Sequence, residues 1–226
     1  MKKTIILSST VILGALLVAG ANAAHADEKN PLVAGSQATF EFTPADPAET
    51  NPPVDETKPV KPESGNKGPL VIDAVSKFAF ESAEIKGGET KTNVKVPAGE
   101  TIGIQVTDKQ GSAKGWEVHA QITDFTEEKK ETQILRGAYI TVPAGTFYTR
   151  ADGDTDNPPV AANAAGTVIG KDAASKIIFA TEGKGNGSWI NDWAEEVELT
   201  IPGGNLLGKY KAAITWTISA APVVND

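Results

Sequence analysis

The chain has 226 residues, with 29 acidic against 21 basic side chains, a formal net charge of −8, and no cysteine. This acidic balance disfavours nucleic acid, anionic lipid surfaces and polyanionic teichoic acids as main partners, because like charges repel at long range. The lack of cysteine excludes both disulfides and a lipid-modified N-terminal cysteine.

The N-terminus predicts a secretory signal peptide over residues 1–26. Lys2 and Lys3 precede the apolar run TIILSSTVILGALLVAGA, and ANAAHA then offers the small residues that signal peptidase accepts. We expect cleavage after Ala26, with Ala23 as the alternative site. A retained membrane anchor is disfavoured by that cleavage site and by the polar DEKNP that follows it. No second apolar stretch reaches the roughly 20 residues needed to span a bilayer.

Two segments follow the signal peptide. Residues 27–43 form an N-terminal arm ending in SQATFEFTP, in which Ala38, Phe40 and Phe42 alternate with polar residues like a strand. This arm is a candidate to add a strand to the sheet. Residues 44–68 are rich in proline and mixed charges. Such a composition has little apolar area to bury, so it predicts an extended, mobile linker or loop.

Residues 69–226 predict an all-β domain. Apolar or period-two runs include LVIDAV, KFAFES, TIGIQVTD, GWEVHAQITDF, ILRGAYITVP, KIIFATEG, EEVELTIP and YKAAITWTISA. Turn-forming stretches such as KGGET, VPAGE and IPGG separate these runs. About eight strands in such a length favour an antiparallel β-sandwich of Greek-key or immunoglobulin-like type.

Two tryptophan triplets lie in this domain, one in GWEVHAQI and one in ITWTISA. Each triplet places its tryptophan and an aliphatic residue on the same apolar face of a strand, because side chains alternate between faces. The four residues are Trp116, Val118, Trp216 and Ile218. This pattern favours core packing, with the triplets on neighbouring strands and both tryptophans close together and largely inside. A binding surface made by the triplets is the alternative.

These motifs resemble the WxL-domain surface proteins of low-GC Gram-positive bacteria. The resemblance rests on the signal peptide, the proline-rich run, GPLVIDAVSKFAF, GWEVHAQITDF and the terminal YKAAITWTISAAP. It covers nearly all of the mature chain. One departure is that the family triplet usually ends in leucine, whereas Val118 and Ile218 stand there in this chain. Both keep an aliphatic group and suit a strand.

The resemblance implies a secreted, non-enzymatic protein at the cell surface, attached non-covalently to peptidoglycan of the cell wall. It also implies assembly with membrane-anchored WxL-interacting proteins and with other WxL proteins; host matrix proteins are a further class of partner. Non-covalent attachment agrees with a C-terminus that lacks an LPxTG motif. Two alternatives stay open: a structural subunit whose wall binding is indirect, and a carbohydrate-active enzyme.

The remaining residues give weaker hypotheses. Trp189 and Trp193 lie four residues apart beside a glycine-rich turn. They either stack on a sugar, with Asn186, Asn191 and Asp192 nearby, or cap the open end of the sandwich. Asp152, Asp154 and Asp156 alternate as at the start of a calcium loop, but the glycine and distal glutamate of such a loop are missing. A solvated acidic loop is favoured.

His119 is expected to be an exposed strand histidine rather than a member of a Ser-His-Asp arrangement. We predict no catalytic residues, no metal and no cofactor.

Overall fold

The computed structural model describes residues 37–220. The predicted signal peptide, residues 27–36 of the arm and residues 221–226 lie outside the described residues. Residues 37–220 contain fifteen β-strands and no α-helix. Accordingly, this part of the chain holds no helix that is long and apolar enough to cross a membrane.

Most of the longer strands follow the apolar and period-two runs of the sequence, whereas several short strands lie outside them. In chain order they are β1 (Leu70–Val75), β2 (Thr90–Asn93), β3 (Gly103–Asp108), β4 (Trp116–Ile122), β5 (Thr126–Glu127), β6 (Lys130–Ile134), β7 (Tyr139–Val142), β8 (Thr146–Thr149), β9 (Val160–Ala161), β10 (Thr167–Val168), β11 (Ser175–Ala180), β12 (Gly187–Asp192), β13 (Glu198–Ile201), β14 (Tyr210–Lys211) and β15 (Ile214–Ala220). Gly137, with a φ of 70°, lies in the turn between β6 and β7, so within the run ILRGAYITVP the residue Ile134 ends β6 and Tyr139–Val142 form β7.

The strands form four sheets in which neighbouring strands are antiparallel. Sheet I has the order β1-β3-β12-β8, sheet II β10-β7-β13-β2, sheet III β15-β4-β11-β9 and sheet IV β14-β5-β6. One apolar core joins sheets I, II and III, with Ile104 of sheet I, Ile140 of sheet II and Val118 of sheet III all buried within it. The predicted antiparallel all-β sandwich is therefore confirmed.

The proline-rich run differs from its prediction. Residues 51–64, hereafter the strap, lie on the outer face of sheet I. Val60 is buried in a small cluster with Ala74 and Ile190, and Val54 packs against that cluster. The expectation that this run has nothing to bury is wrong for the strap, because a few aliphatic side chains spaced among prolines meet a complementary sheet face.

A buried carboxylate fixes the strap to the sheet. Asp73 is the extra residue of a β-bulge in β1, where the pairing with β3 shifts between Ile72 and Ala74. Its two oxygens accept hydrogen bonds from Asn51 Nδ2 at 2.8 Å, Thr107 Oγ1 at 2.7 Å and Gln105 Nε2 at 3.2 Å. Burial raises the pKa of Asp73, and the three hydrogen bonds oppose that shift.

Two period-two runs do not become strands. In the described part of the arm, residues 37–43 carry no strand, although Ala38, Phe40 and Phe42 alternate with polar residues. KFAFES forms only an isolated antiparallel bridge, between Phe80 and Val94. Alternation alone therefore does not decide strand formation, which also needs a partner strand in register.

Candidate functional site

The two tryptophan triplets lie on adjacent strands. β15 pairs with β4 so that Ile218 faces Val118, Trp216 faces Ala120 and Ala220 faces Trp116. The prediction of neighbouring strands is thus confirmed. The prediction that the two tryptophans lie close together is wrong, because this register offsets them by four residues, or roughly 13 Å along the strands.

The first triplet belongs to the core. Trp116 and Val118 are both 0% exposed. The indole N–H of Trp116 donates to the carbonyl oxygen of Gly185 at 3.1 Å, which satisfies the one polar group of the ring. The packing interpretation therefore holds for these two residues, and neither can touch a ligand in this conformation.

The second triplet lies at the edge of the core. Trp216 and Ile218 are half-buried, and β15 is an edge strand of sheet III. The ring of Trp216 stacks on Trp193 with centroids 5.7 Å apart and meets Phe78 edge-on at 6.5 Å. Phe78 also packs edge-on against Trp193 at 5.9 Å. Offset and edge-to-face pairs of this kind stabilise beyond the area they bury.

Trp189 and Trp193 are interior residues. They are 3% and 1% exposed, and Trp189 lies within β12, so neither ring offers a face to a sugar. Trp189 donates to the carbonyl of Asn186 at 2.9 Å, and Trp193 donates to the side chain of Asn191. The sugar-stacking hypothesis for this loop is wrong in this structure, and the packing alternative fits.

Trp216 forms part of the wall of a large groove, hereafter the Trp216 groove. It has a volume of about 1140 Å³, and most of its lining residues come from two segments, 75–86 and 199–216. Its lining is mainly apolar, with Phe125 and Ile140 among the residues of its inner surface. Leu206 and Leu207 add exposed aliphatic side chains to its lining.

Basic side chains surround this groove in an otherwise acidic protein. Four lysines, Lys77, Lys86, Lys209 and Lys211, line it against two glutamates, Glu81 and Glu84. Lys209 pairs with Glu128 at 3.2 Å. Among residues 37–220, no ion pair is formed by the other three lysines. The local surplus of positive charge favours an acidic ligand.

The outer face of β4 carries His119, one of the two histidines of the chain. His119 Nε2 lies 3.7 Å from Glu117 Oε2, and the other oxygen of Glu117 accepts a bond from Lys176 Nζ at 2.6 Å. His119 is half-buried, more covered than the exposed histidine that the strand pattern predicts. Within residues 37–220, no serine or threonine hydroxyl is hydrogen-bonded to His119, as a nucleophile of the Ser-His type would be.

The acidic loop uses its carboxylates internally. Asp154 accepts hydrogen bonds from the backbone N–H of Asp156 at 2.9 Å and from Asn157 Nδ2 at 2.8 Å. The bond from Asn157 lowers the pKa of Asp154. Asp152 lies 3.5 Å from Nε of Arg150. Across the described chain, no group of three or more potential metal-binding side chains comes together.

Sequence reasoning missed Phe78 and the strap. Phe78 lies in the run KFAFES, where a period-two pattern gave a strand but no indication that the ring would meet Trp216 and Trp193. The signal for the strap was present only in isolated residues, Val54 and Val60, within a composition that otherwise indicates a linker.

The fold and site define an all-β sandwich domain without disulfides, built around two paired tryptophan triplets. The chain belongs to the WxL family, described as the WxL domain, surface cell wall-binding, whose family model matches residues 25–222. This confirms the resemblance and identifies a cell-surface, cell-wall-binding domain of a family that is not an enzyme family. Comparison with curated proteins and with solved structures gave no match.

Proposed function

We propose that this chain is a secreted, non-enzymatic protein attached non-covalently to the peptidoglycan of a Gram-positive cell wall. The observation that carries the proposal is the match to a surface cell wall-binding family over residues 25–222. Because Trp116 and Val118 are fully buried, the triplets act in wall binding mainly by forming the fold. Trp216 and Ile218 are the triplet residues that remain available to a ligand, with Trp216 lining the groove.

The test is binding of the purified chain from residue 27 onward to sacculi stripped of teichoic acid, with no other protein present. Direct attachment predicts that the chain sediments with the sacculi in a saturable manner. A chain that stays in solution until a membrane-anchored WxL-interacting protein is added would contradict direct binding.

The second candidate is a structural subunit that binds those membrane-anchored partners or other WxL proteins and reaches the wall only through them. The size and apolar lining of the Trp216 groove favour it. Small-molecule sites are roughly 300–1,000 Å³, so the volume of about 1140 Å³ suits an extended polypeptide better than one sugar unit. Host matrix proteins are a further class of partner for such a surface.

A carbohydrate-active enzyme is the third candidate, and release of soluble fragments from labelled cell wall tests it. A glycosidase needs two carboxyl groups about 5–10 Å apart around one bond. The carboxylates of Glu81 and Glu84 line the groove, but both are exposed, and Glu81 lies 3.6 Å from Lys95. Neither lies in the buried, apolar setting that the general acid of such an enzyme needs. We therefore expect no fragment release.

A further inference from the structure

Residues 210–216, hereafter the free edge, run along the Trp216 groove. They contain β14 and the start of β15, which are end strands of sheets IV and III. The N–H of Thr123 donates to the carbonyl oxygen of Ala213 at 2.9 Å. Because main-chain groups alternate in direction along a strand, those of Ile214 and Trp216 point to the opposite side. Among residues 37–220, no strand pairs with them there.

β15 lacks the features that keep an edge strand from pairing with another chain. Natural edge strands are typically short, carry charges or proline, or are covered by another segment. β15 has seven residues, and none of them is charged or a proline. By contrast, β9 and β10 have two residues each, β2 and β6 contain lysine, and the strap covers β1, where Ser64 N–H donates to the carbonyl oxygen of Asp73 at 2.7 Å. β15 is therefore an edge that is open to pairing.

The groove beside this edge suits the side chains of an added strand. Ile214 and Trp216 line it with half-buried apolar side chains, and Leu206 and Leu207 line it while 64% and 83% exposed. A strand that bonds to the main chain of the free edge would place every second side chain in the groove. The open main-chain groups favour a polypeptide over a lipid chain, because an acyl chain has no donors or acceptors to pair with them.

Charge decides which kind of polypeptide fits. Lys77, Lys86 and Lys211 line the groove, and among residues 37–220 none of the three forms an ion pair. An approaching strand with aspartate or glutamate side chains is attracted to them. A second copy of this chain is disfavoured, because pairing two free edges would bring two lysine-rich rims together.

We infer that the free edge and the Trp216 groove bind an acidic, extended segment of another polypeptide as an added strand. Its apolar side chains enter the groove, and its carboxylates meet Lys77, Lys86 and Lys211. The inference rests on the partner-binding candidate function and gives it a site, a mode of binding and a class of ligand. It does not rest on direct attachment to the wall.

The first test selects from a displayed library of random ten-residue peptides on the purified chain from residue 27 onward. We expect the enriched peptides to carry a net negative charge and to alternate apolar with polar residues. Their binding should weaken roughly tenfold or more in Leu207→Glu and in Lys86→Glu/Lys211→Glu. Val168→Glu is the matched control, because Val168 is an exposed aliphatic residue that does not line the groove. Thermal melting of each variant confirms that it is folded.

The decisive test asks whether the peptide binds through its main chain. The most enriched peptide is synthesised in two further forms, with N-methyl groups on the odd or on the even residues, and affinity is measured by isothermal titration calorimetry. Only every second residue of an added strand bonds to the edge beside it. One form should therefore lose affinity roughly tenfold or more, whereas the other, whose N-methyl groups face solvent, should bind like the parent peptide.

Three outcomes would overturn the inference. One is a selection that enriches no peptide dependent on the groove, or that enriches neutral or basic peptides. Another is an equal effect of both N-methylated forms, because strand addition must distinguish them. The third is binding of dodecyl phosphate in the groove without binding of acidic peptides, which would make the groove a site for acidic amphiphiles. None of these outcomes depends on sacculi, so failure here leaves the wall-binding proposal intact.

Discussion

Trp116 and Trp216 are both tryptophans, but they lie at different depths. A substitution at Trp116 therefore tests the stability of the fold, and a substitution at Trp216 tests the surface. Trp116 is fully buried and hydrogen-bonded to Gly185, whereas Trp216 is half-buried at the groove. Trp116→Ala is expected to lower the free energy of unfolding by about 3–5 kcal/mol through cavity formation. Trp216→Ala should cost less, roughly 1–3 kcal/mol, because part of its ring already contacts water.

Urea unfolding of both variants followed by circular dichroism checks this order. Trp116→Phe is the matched control, since it keeps an aromatic ring but leaves the Gly185 carbonyl without its donor. Equal losses for the two alanine variants would contradict the depth argument. Sacculus binding of Trp216→Ala, measured well below its melting temperature, then reports on the surface rather than on folding.

The raised pKa of Asp73 makes the free energy of unfolding depend on pH. Burial raises its pKa above the ordinary value of 3.8, so the folded chain holds a proton that the unfolded chain has already released in the range just above that value. The contribution of Asp73 to the free energy of unfolding is therefore fully present below the unfolded pKa and is lost as pH rises through the folded pKa.

The measurement is the difference in unfolding free energy between the parent chain and Asp73→Asn, followed from about pH 3 to about pH 7. We expect the difference, parent minus variant, to fall as pH rises. Asp108, whose pKa burial also raises, is present in both proteins, so its effect cancels. A difference that grows with pH would show that the hydrogen bonds to the carboxylate outweigh its burial.

At the level of elements, the strap behaves as part of the sandwich. Deleting residues 51–64 would expose Ile190 and leave the buried carboxylate of Asp73 without Asn51. Unpaired buried polar groups and lost apolar contacts each cost about 1–3 kcal/mol, so we expect a drop of many degrees in melting temperature. Deleting residues 44–50, which are largely exposed, should change it little. Differential scanning calorimetry of both deletions measures the two melting temperatures. Equal melting temperatures would show that the strap is only a linker and does not stabilise the sandwich.

Strand formation could be predicted only where the pattern was long. β1, β3, β4, β11 and β15 all lie within runs of apolar or alternating residues, and each spans six or seven residues. Two-residue strands such as β9 and β10 leave no such pattern, because their pairing depends on neighbours distant in the chain. The arm fails in the opposite direction: its alternation is clear, yet residues 37–43 carry no strand in the single chain.

For the candidate site, the sequence predicts only which side chains share a face of one strand. Alternation correctly placed Trp116 and Val118 on an inner face, because parity is a property of one strand. The four-residue offset between Trp116 and Trp216 comes from the register of two strands, which no single strand encodes. The stacking of Trp193 on Trp216 likewise depends on how sheets I and III pack, so the loop tryptophans were misjudged as a sugar-binding pair.

Across the described residues, three of the four sheets contribute to one core. The result of a binding experiment therefore depends on whether the variant is still folded. A core substitution in any sheet lowers the folded fraction of the entire domain, and any loss of wall binding then follows from unfolding. Only surface substitutions that leave melting unchanged can locate the wall contact. Leu207 and Val168 are exposed, so they are suitable positions for such variants.

Net charge gives the last prediction. The chain carries a formal net charge of −8, and loss of Lys2 and Lys3 with a signal peptide would make it more negative. Teichoic acids are polyanions, so they should repel the protein over a distance set by the Debye length, about 8 Å at 0.15 M salt and 3 Å at 1 M. On sacculi that retain teichoic acid, added salt is therefore expected to tighten binding, whereas on stripped sacculi it should have little effect.

Sedimentation assays over this salt range, with both kinds of sacculi, measure the difference. Binding that weakens with salt on both would mean instead that the lysines around the Trp216 groove make the wall contact, since attraction between opposite charges is what salt screens.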